Sequence, residues 1–249
     1  MAKKALCGFV SAVLSQPTAP KATNNKGFDT LETGGFDGIF LLSNKASNET
    51  LSSKPKATNN RKHISYSDTY NHKDNEYEVN SKPTGIYTGM MGKVIDQLDL
   101  AQQLWGRVLV VRIDLHQSQY TEDSKKVSWF FKQMVSKLKK QYKFDQVGYF
   151  WAREHESAKA QHYHCWFFLD GRKIKHSSKV ITMAKETWVK NWAGNHHIPT
   201  TKKPFRLIDS ADIKHEVIYW LSYACKGRGK GYRPPQSKDY GTSRLKLKE

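Results

Sequence analysis

Between residues 107 and 117 apolar and polar positions alternate: Leu109, Val111, Ile113 and Leu115 share one face, Arg112, Asp114 and His116 the other. Successive strand side chains point to opposite sides of a sheet, so this stretch predicts a strand with one buried and one chemically active face. Upstream, Met90, Met91, Val94, Ile95, Leu98, Ala101 and Leu104 recur at helical spacing and predict an amphipathic helix. Val127, Phe130, Phe131, Met134, Val135, Leu138 and Tyr142 predict a second, with Thr121 or Asp123 available as its cap. VGYFWAREHE (147–156) and QHYHCWFFLDG (161–171) predict two strands around a short turn. A helix over 180–194 closing at Gly194, a short strand over 205–209 and a last helix over 211–226 follow, the last started by Asp209 or Ser210 and ended by Gly227.

The order from residue 107 is therefore strand, helix, strand, strand, helix, strand, then one more helix. It predicts an α+β fold of the ferredoxin-like, split βαβ type. Such a unit is an antiparallel sheet with two helices on one face and the other face open, here with the final helix nearby. These elements set the bounds of a domain over 85–235. Residues 1–84 are rich in Ser, Thr, Asn, Lys and Gly and carry an imperfect repeat, PKATNNK and PKATNNR. They are expected to be a low-complexity, mostly disordered extension, and 236–249 a basic tail.

Charge changes the picture most. Lys and Arg number 41 against 23 Asp and Glu, a formal charge of +18 over 249 residues. An excess of that size points to a polyanionic partner, because each neutralised phosphate releases counterions. Seven Trp and an aromatic content of 12% argue for a packed core that also offers stacking surfaces to bases. Cys7, Cys165 and Cys225 are odd in number and lack metal-like spacing, and read as reduced thiols. The opening MAKKALCGFVSAVL only faintly echoes a secretory signal, and no apolar run approaches the ~20 residues that span a bilayer. A cytoplasmic location with no membrane partner is expected.

Candidate chemistry concentrates in the two strands around residue 158. His162 and His164 are two apart and so share a sheet face. In a hairpin centred near Ala158, Glu154 stands opposite His162 and Ala152 opposite His164, with opposed Cβ atoms about 5 Å apart. One carboxylate and two neutral imidazoles would form a divalent site with open positions for water and a phosphate oxygen. Glu156 has the parity of Glu154 and is a rival ligand, Asp114 or His116 would stand at the rim, and Cys165 points to the opposite face. Alone, the pair reads as two ordinary histidines in a chain that has ten. In the last helix Tyr219, Tyr223 and Lys226 fall near one face. A metal and a lysine would make a tyrosine there competent as a nucleophile, whereas the tyrosines alone read as packing residues. Arg228, Lys230 and Arg233 continue from it as a glycine-rich basic stretch able to grip phosphates, a solvated tail being the other reading, and Arg112 and Asp114 on the first strand's polar face are further expected nucleic-acid contacts.

His162-Tyr163-His164 resembles the His-hydrophobic-His motif of HUH endonucleases, Tyr223-Ala-Cys-Lys226 resembles their Tyr-x-x-Lys motif, and VRIDLH stands where their first motif falls. In longer wording, YFWAREHE, HYHCWFFLDG and YWLSYACK resemble inovirus-type replication initiation proteins and the YagK/YfjJ C-terminal family over about 85–235. The resemblance implies rolling-circle initiation: nicking one strand at an origin through a tyrosine that becomes linked to the 5′ phosphate, then rejoining. It implies Tyr223 as nucleophile, Lys226 as its assistant, and His162 and His164 as ligands of Mg²⁺ or Mn²⁺, with Glu154 as the third. Tyr219 resembles the additional tyrosine of two-tyrosine initiators. No GxxxxGK[ST] loop is present, so a host helicase, and a polymerase to extend the 3′ end, are implied partners beside single-stranded and origin DNA. A relaxase or single-strand transposase with the same chemistry, a non-catalytic DNA-binding prophage or plasmid regulator, and an RNA-binding module stay open as alternatives.

Overall fold

A computed structural model describes residues 63–155, 160–191, 196–231, 233–234 and 237–247. The repeat, Cys7 and the leader-like opening, together with Glu156 and Gly194, lie outside the described residues. Five strands form one antiparallel sheet, β8-β5-β7-β6-β9, built from β5 (Val108–His116), β6 (Gly148–Glu154), β7 (His162–Asp170), β8 (Phe205–Ile208) and β9 (Tyr240–Thr242). The expected hairpin register holds, with Glu154 paired to His162 and Ala152 to His164. Four helices pack on this sheet: α1 (Thr88–Trp105), α2 (Lys125–Tyr142), α3 (Ser178–Val189) and α4 (Ala211–Ser222). Among the described residues no helix is long and apolar enough to cross a membrane.

The alternation of β5 sorts the core into two layers. Leu109, Val111, Ile113 and Leu115 pack with Tyr163, Cys165 and Phe167 under α2 and α3. Val108 and Val110 face the other way, with Phe150, Ala152, Trp166 and Phe168. That second face is not open. Met90, Met91, Val94, Ile95 and Leu98 of α1 and Val217, Ile218 and Leu221 of α4 cover it, because α1 has an apolar stripe that needs a partner and the remaining sheet face supplies one. The end of this face where β5 and β6 finish and β7 begins carries a cluster of polar side chains, Arg112, Asp114, Glu154, His162 and His164.

Residues 63–84 are ordered, unlike the extension expected from composition. β1 (Ile64–Ser65) pairs with β4 (Ile86–Tyr87), and β2 (Thr69–His72) with β3 (Asn75–Glu78). Buried Tyr77 and Val79 and half-buried Tyr70 anchor this hairpin to the α1–α4 layer. β9 likewise converts part of the expected tail into a sheet edge. Its Gly241 crosses Trp151 so closely that a Cβ would lie 2.6 Å from the indole nitrogen, so no larger residue fits without movement.

Phe168 is fully buried in the layer beneath α1. Phe168→Ala is expected to cost about 3–5 kcal/mol through lost apolar transfer and the remaining cavity. Urea unfolding should show a lower midpoint at an unchanged slope.

Candidate metal centre and nucleophile

The ends of β6 and β7 bring Glu154, His162 and His164 together, with one ligand atom from each lying within 4.8 Å of the others. His164 and Glu154 are buried, at 6% and 7% exposure, while His162 is half-buried. The neighbouring strand orients the central imidazole: Asp114 Oδ1 lies 2.9 Å from His164 Nδ1. With Nδ1 engaged, Nε2 turns toward Glu154. Glu154 Oε2 is 3.3 Å away, an ion-pair contact, and Nε2 is a buried nitrogen that makes no hydrogen bond. An unpartnered imidazole nitrogen beside a carboxylate and a second imidazole is a donor set that fits a divalent cation. Asp114 thus acts from behind the set, fixing ring and tautomer, as outer-shell carboxylates do at metal-binding histidines.

The charges are consistent with that arrangement. Burial opposes ionisation of Asp114, but the His164 contact and the Arg112 guanidinium outweigh it and hold the carboxyl at about 2. Burial of Glu154 is likewise outweighed by His164 and Lys230, again to about 2. For His164 burial disfavours the charged ring, yet the two carboxylates prevail and its pKa lies above the ordinary value of 6.5. Burial and the neighbouring His164 push His162 down to about 4. His116, expected at the rim, stacks on His162 at 5.2 Å between ring centres and meets His197 at 4.6 Å. Cys165 is buried in the opposite layer, away from these atoms.

These directions fix a pH response. A cation must displace the His164 proton, whereas His162 is already neutral above about pH 4. The two carboxylates, at about 2, stay ionised throughout. Mn²⁺ affinity is therefore expected to fall about tenfold per pH unit as pH drops below the raised His164 pKa, a slope of one proton, not two. Calorimetric titration from pH 8 to pH 5 would measure it, and a slope of two would place both rings in the ordinary range.

Tyr223 reaches the site from α4. Its ring is 5.6 Å from that of His164, and the phenol-bearing residue is 38% exposed. The helix does not run to residue 226 as the spacing predicts. Ser222 Oγ donates to Tyr219 O at 2.7 Å and accepts from Asn80 N at 2.8 Å, and the chain tightens into a 3₁₀ turn over Tyr223–Cys225. Lys226 then leaves the helix face to bridge Ile86, and Gly227 N donates to Gly85 O at 2.9 Å. Lys226 Nζ donates to Lys82 O at 2.6 Å and still lies 5.4 Å from the Tyr223 ring centre. Tyr219 is 46% exposed and lines a groove beside the site.

Arg112, read from sequence as a phosphate contact, spans the centre. It clamps Asp114 through Nε and Nη2, at 3.1 and 3.0 Å, with its guanidinium 5.5 Å from the Tyr223 ring centre. The basic stretch after the 3₁₀ turn folds toward Glu154. Arg228 Nε and Lys230 Nζ each lie 3.8 Å from a Glu154 oxygen; Arg228 is 57% exposed, whereas the Lys230 side chain is fully enclosed. Arg233 pairs with Asp239 at 2.9 Å. Lys230 beside the carboxylate is a site residue that sequence spacing missed, and Asp114, expected at the rim, stands behind the imidazole. Asp114 had a signal, since it is directly opposed to His164 once β5 and β7 pair, but that pairing is between distant segments.

Neither curated proteins nor solved structures gave a match to the chain. A family model does match, over residues 66–243, and its span includes the β2–β3 hairpin, the histidine pair, Tyr223 and β9. More than half of the sequence is covered by that model, and the chain belongs to the YagK/YfjJ C-terminal domain family.

Proposed function

We propose that the protein is a metal-dependent DNA strand transferase of the HUH type, which nicks and rejoins single-stranded DNA through Tyr223 in rolling-circle initiation. The observation that carries this reading is the convergence of Glu154, His162 and the unpartnered Nε2 of His164 beside an exposed tyrosine 5.6 Å away. The β8-β5-β7-β6 order with antiparallel neighbours is what a ferredoxin-like split βαβ unit would give, and it supports assigning the fold to that type.

Glu154, His162 and His164 would hold Mg²⁺ or Mn²⁺, which when bound would polarise a phosphate oxygen. The remaining work falls to the chain. Tyr223 Oη forms a bond to phosphorus as the bond to the 3′ oxygen breaks. The net proton transfer is from the phenol to the departing 3′ hydroxyl, and the 5′ phosphate stays on the tyrosine. Attack by a 3′ hydroxyl reverses these changes and rejoins the strand. Lys226 and Arg112, 5.4 and 5.5 Å from the Tyr223 ring centre, supply positive charge where negative charge develops. Arg228 is placed to meet backbone phosphate, while Asp114 and Lys230 position ligands. A host helicase to open duplex and a host polymerase to extend the free 3′ end complete the scheme, in the cytoplasm.

The test is covalent capture. Protein mixed with 3′-labelled single-stranded DNA and Mn²⁺ should yield a labelled band that survives denaturation and disappears with chelator. DNA binding without any adduct would reduce the protein to a binding module.

A further inference from the structure

The edge of the sheet at β9 lines a groove of about 970 Å³ that the nicking chemistry leaves unused. Four cations border it from separate places in the fold: Lys93 on α1, Lys139 on α2, Lys238 just before β9 and Arg244 just after it. All four are exposed, and none pairs with a carboxylate among the described residues. The one carboxylate among the described lining residues, Asp239, is taken by Arg233 at 2.9 Å. The groove therefore carries uncompensated positive charge. Its strand edge adds backbone donors. Ser243 N donates to Tyr149 O and Arg153 N to Asp239 O, so the alternation turns the N–H groups of Tyr240 and Thr242 away from β6.

Cations and outward amides along one strand edge suit a chain of phosphates. The candidate metal centre is close by. Tyr240 pairs with Ala152 and Ala152 with His164, so β9 lies two strand spacings, roughly 10 Å, from the metal ligands. A groove of this size takes a few nucleotides and does not admit a duplex. Half-buried Tyr87 and Tyr240 also line it, and unpaired bases offer faces for such rings to stack on. We propose that this groove holds the phosphates of the single strand that continues from the nick, anchored by Lys93, Lys139, Lys238 and Arg244. The proposal rests on the strand-transfer reading for its substrate. It gives the groove a role in affinity and salt dependence, with no part in the chemistry at Tyr223.

The test uses the full chain and fluorescent oligo-dT of about 20 nucleotides in chelator, with binding followed by anisotropy across a salt series. Lys93→Gln, Lys139→Gln, Lys238→Gln and Arg244→Gln together should lower the slope of log affinity against log salt by about 3. Affinity at about 0.1 M salt should fall about a hundredfold. Each pair alone, Lys93 with Lys139 or Lys238 with Arg244, should give about half the change in slope. A control removes the same charge elsewhere, by Lys175→Gln, Lys179→Gln, Lys185→Gln and Lys190→Gln, all exposed on or beside α3. It should keep the wild-type slope to within about 1. Unchanged thermal midpoints exclude misfolding of these surface variants. A groove variant with the wild-type slope, or an equal loss in the control, overturns the proposal. So does a larger loss on the matching duplex than on the single strand, which would make the groove a duplex contact. Oligo-glutamate that displaces the label as well as unlabelled oligo-dT does would overturn it too, in favour of an acidic peptide.

Covalent capture with Mn²⁺ separates this from the parent reading. Adducts at Tyr223, with an unchanged salt slope in the groove variant, sink the groove alone. A lowered slope in that variant, with no adduct formed by the wild-type protein, upholds the groove as a strand site and sinks strand transfer.

Discussion

Tyr223→Phe is expected to abolish covalent protein–DNA adducts, a loss of about a thousandfold or more, while changing DNA affinity less than twofold. The substitution removes one oxygen and keeps the ring. The ring's neighbours are His164, Arg112 and Lys226, all between 5.4 and 5.6 Å from its centre, and none of these contacts needs the hydroxyl. Binding and fold should persist, and only the bond to phosphorus should go. Mass spectrometry of the DNA-linked tryptic peptide from the wild-type protein identifies the attachment point directly. Attachment at Tyr219, or adducts undiminished in the phenylalanine variant, would move the chemistry out of the site built by β6 and β7.

His164→Ala should be the most damaging change to cation binding, exceeding the loss of about 10–100-fold expected on removing an outer-shell partner. Three groups depend on this one ring. It offers Nε2, which makes no hydrogen bond, it receives the Asp114 contact of 2.9 Å, and it sits between the carboxylates of Asp114 and Glu154. Without it Asp114 keeps only Arg112, and Glu154 keeps Lys230 and Arg228, so the variant should also be less stable. Asp114→Asn separates geometry from charge. The amide oxygen can still accept from Nδ1, but the ring becomes less basic, so Mn²⁺ affinity should fall within that 10–100-fold range. Calorimetry on all three proteins, with circular dichroism to establish folding, gives the ranking. If Asp114→Asn binds Mn²⁺ as wild type does, the carboxylate has no part in tuning the ligand.

The hairpin and the meeting of its Glu154, His162 and His164 were legible because they are local. Strand parity placed His162 with His164, and a turn between nearby segments placed Glu154 opposite His162. Helices with long apolar stripes were legible for the same reason: α1 and α2 lie where their spacing predicts, and α4 starts where expected. What could not be read depends on pairing between distant segments or on strands too short to show a period. Asp114 meets His164 only through the β5–β7 pairing, and Lys230 meets Glu154 only after the chain has turned back from α4. β2 and β3 have four residues each, and β9 three, so one aromatic or a glycine among polar neighbours is all their sequence displays. The end of α4 was missed because Ser222, an ordinary helix residue by spacing, bonds to Asn80 from a remote segment.

That last contact has a practical meaning for anyone trimming the molecule. Asn80, Lys82 and Gly85 hold, respectively, the helix end before the tyrosine, the lysine after it and the glycine beyond. A fragment beginning at residue 85 would keep every group proposed to meet a phosphate, yet lose the Asn80 and Lys82 contacts that hold the chain on either side of the phenol. The smallest working piece of this protein is therefore expected to start upstream of Asn80.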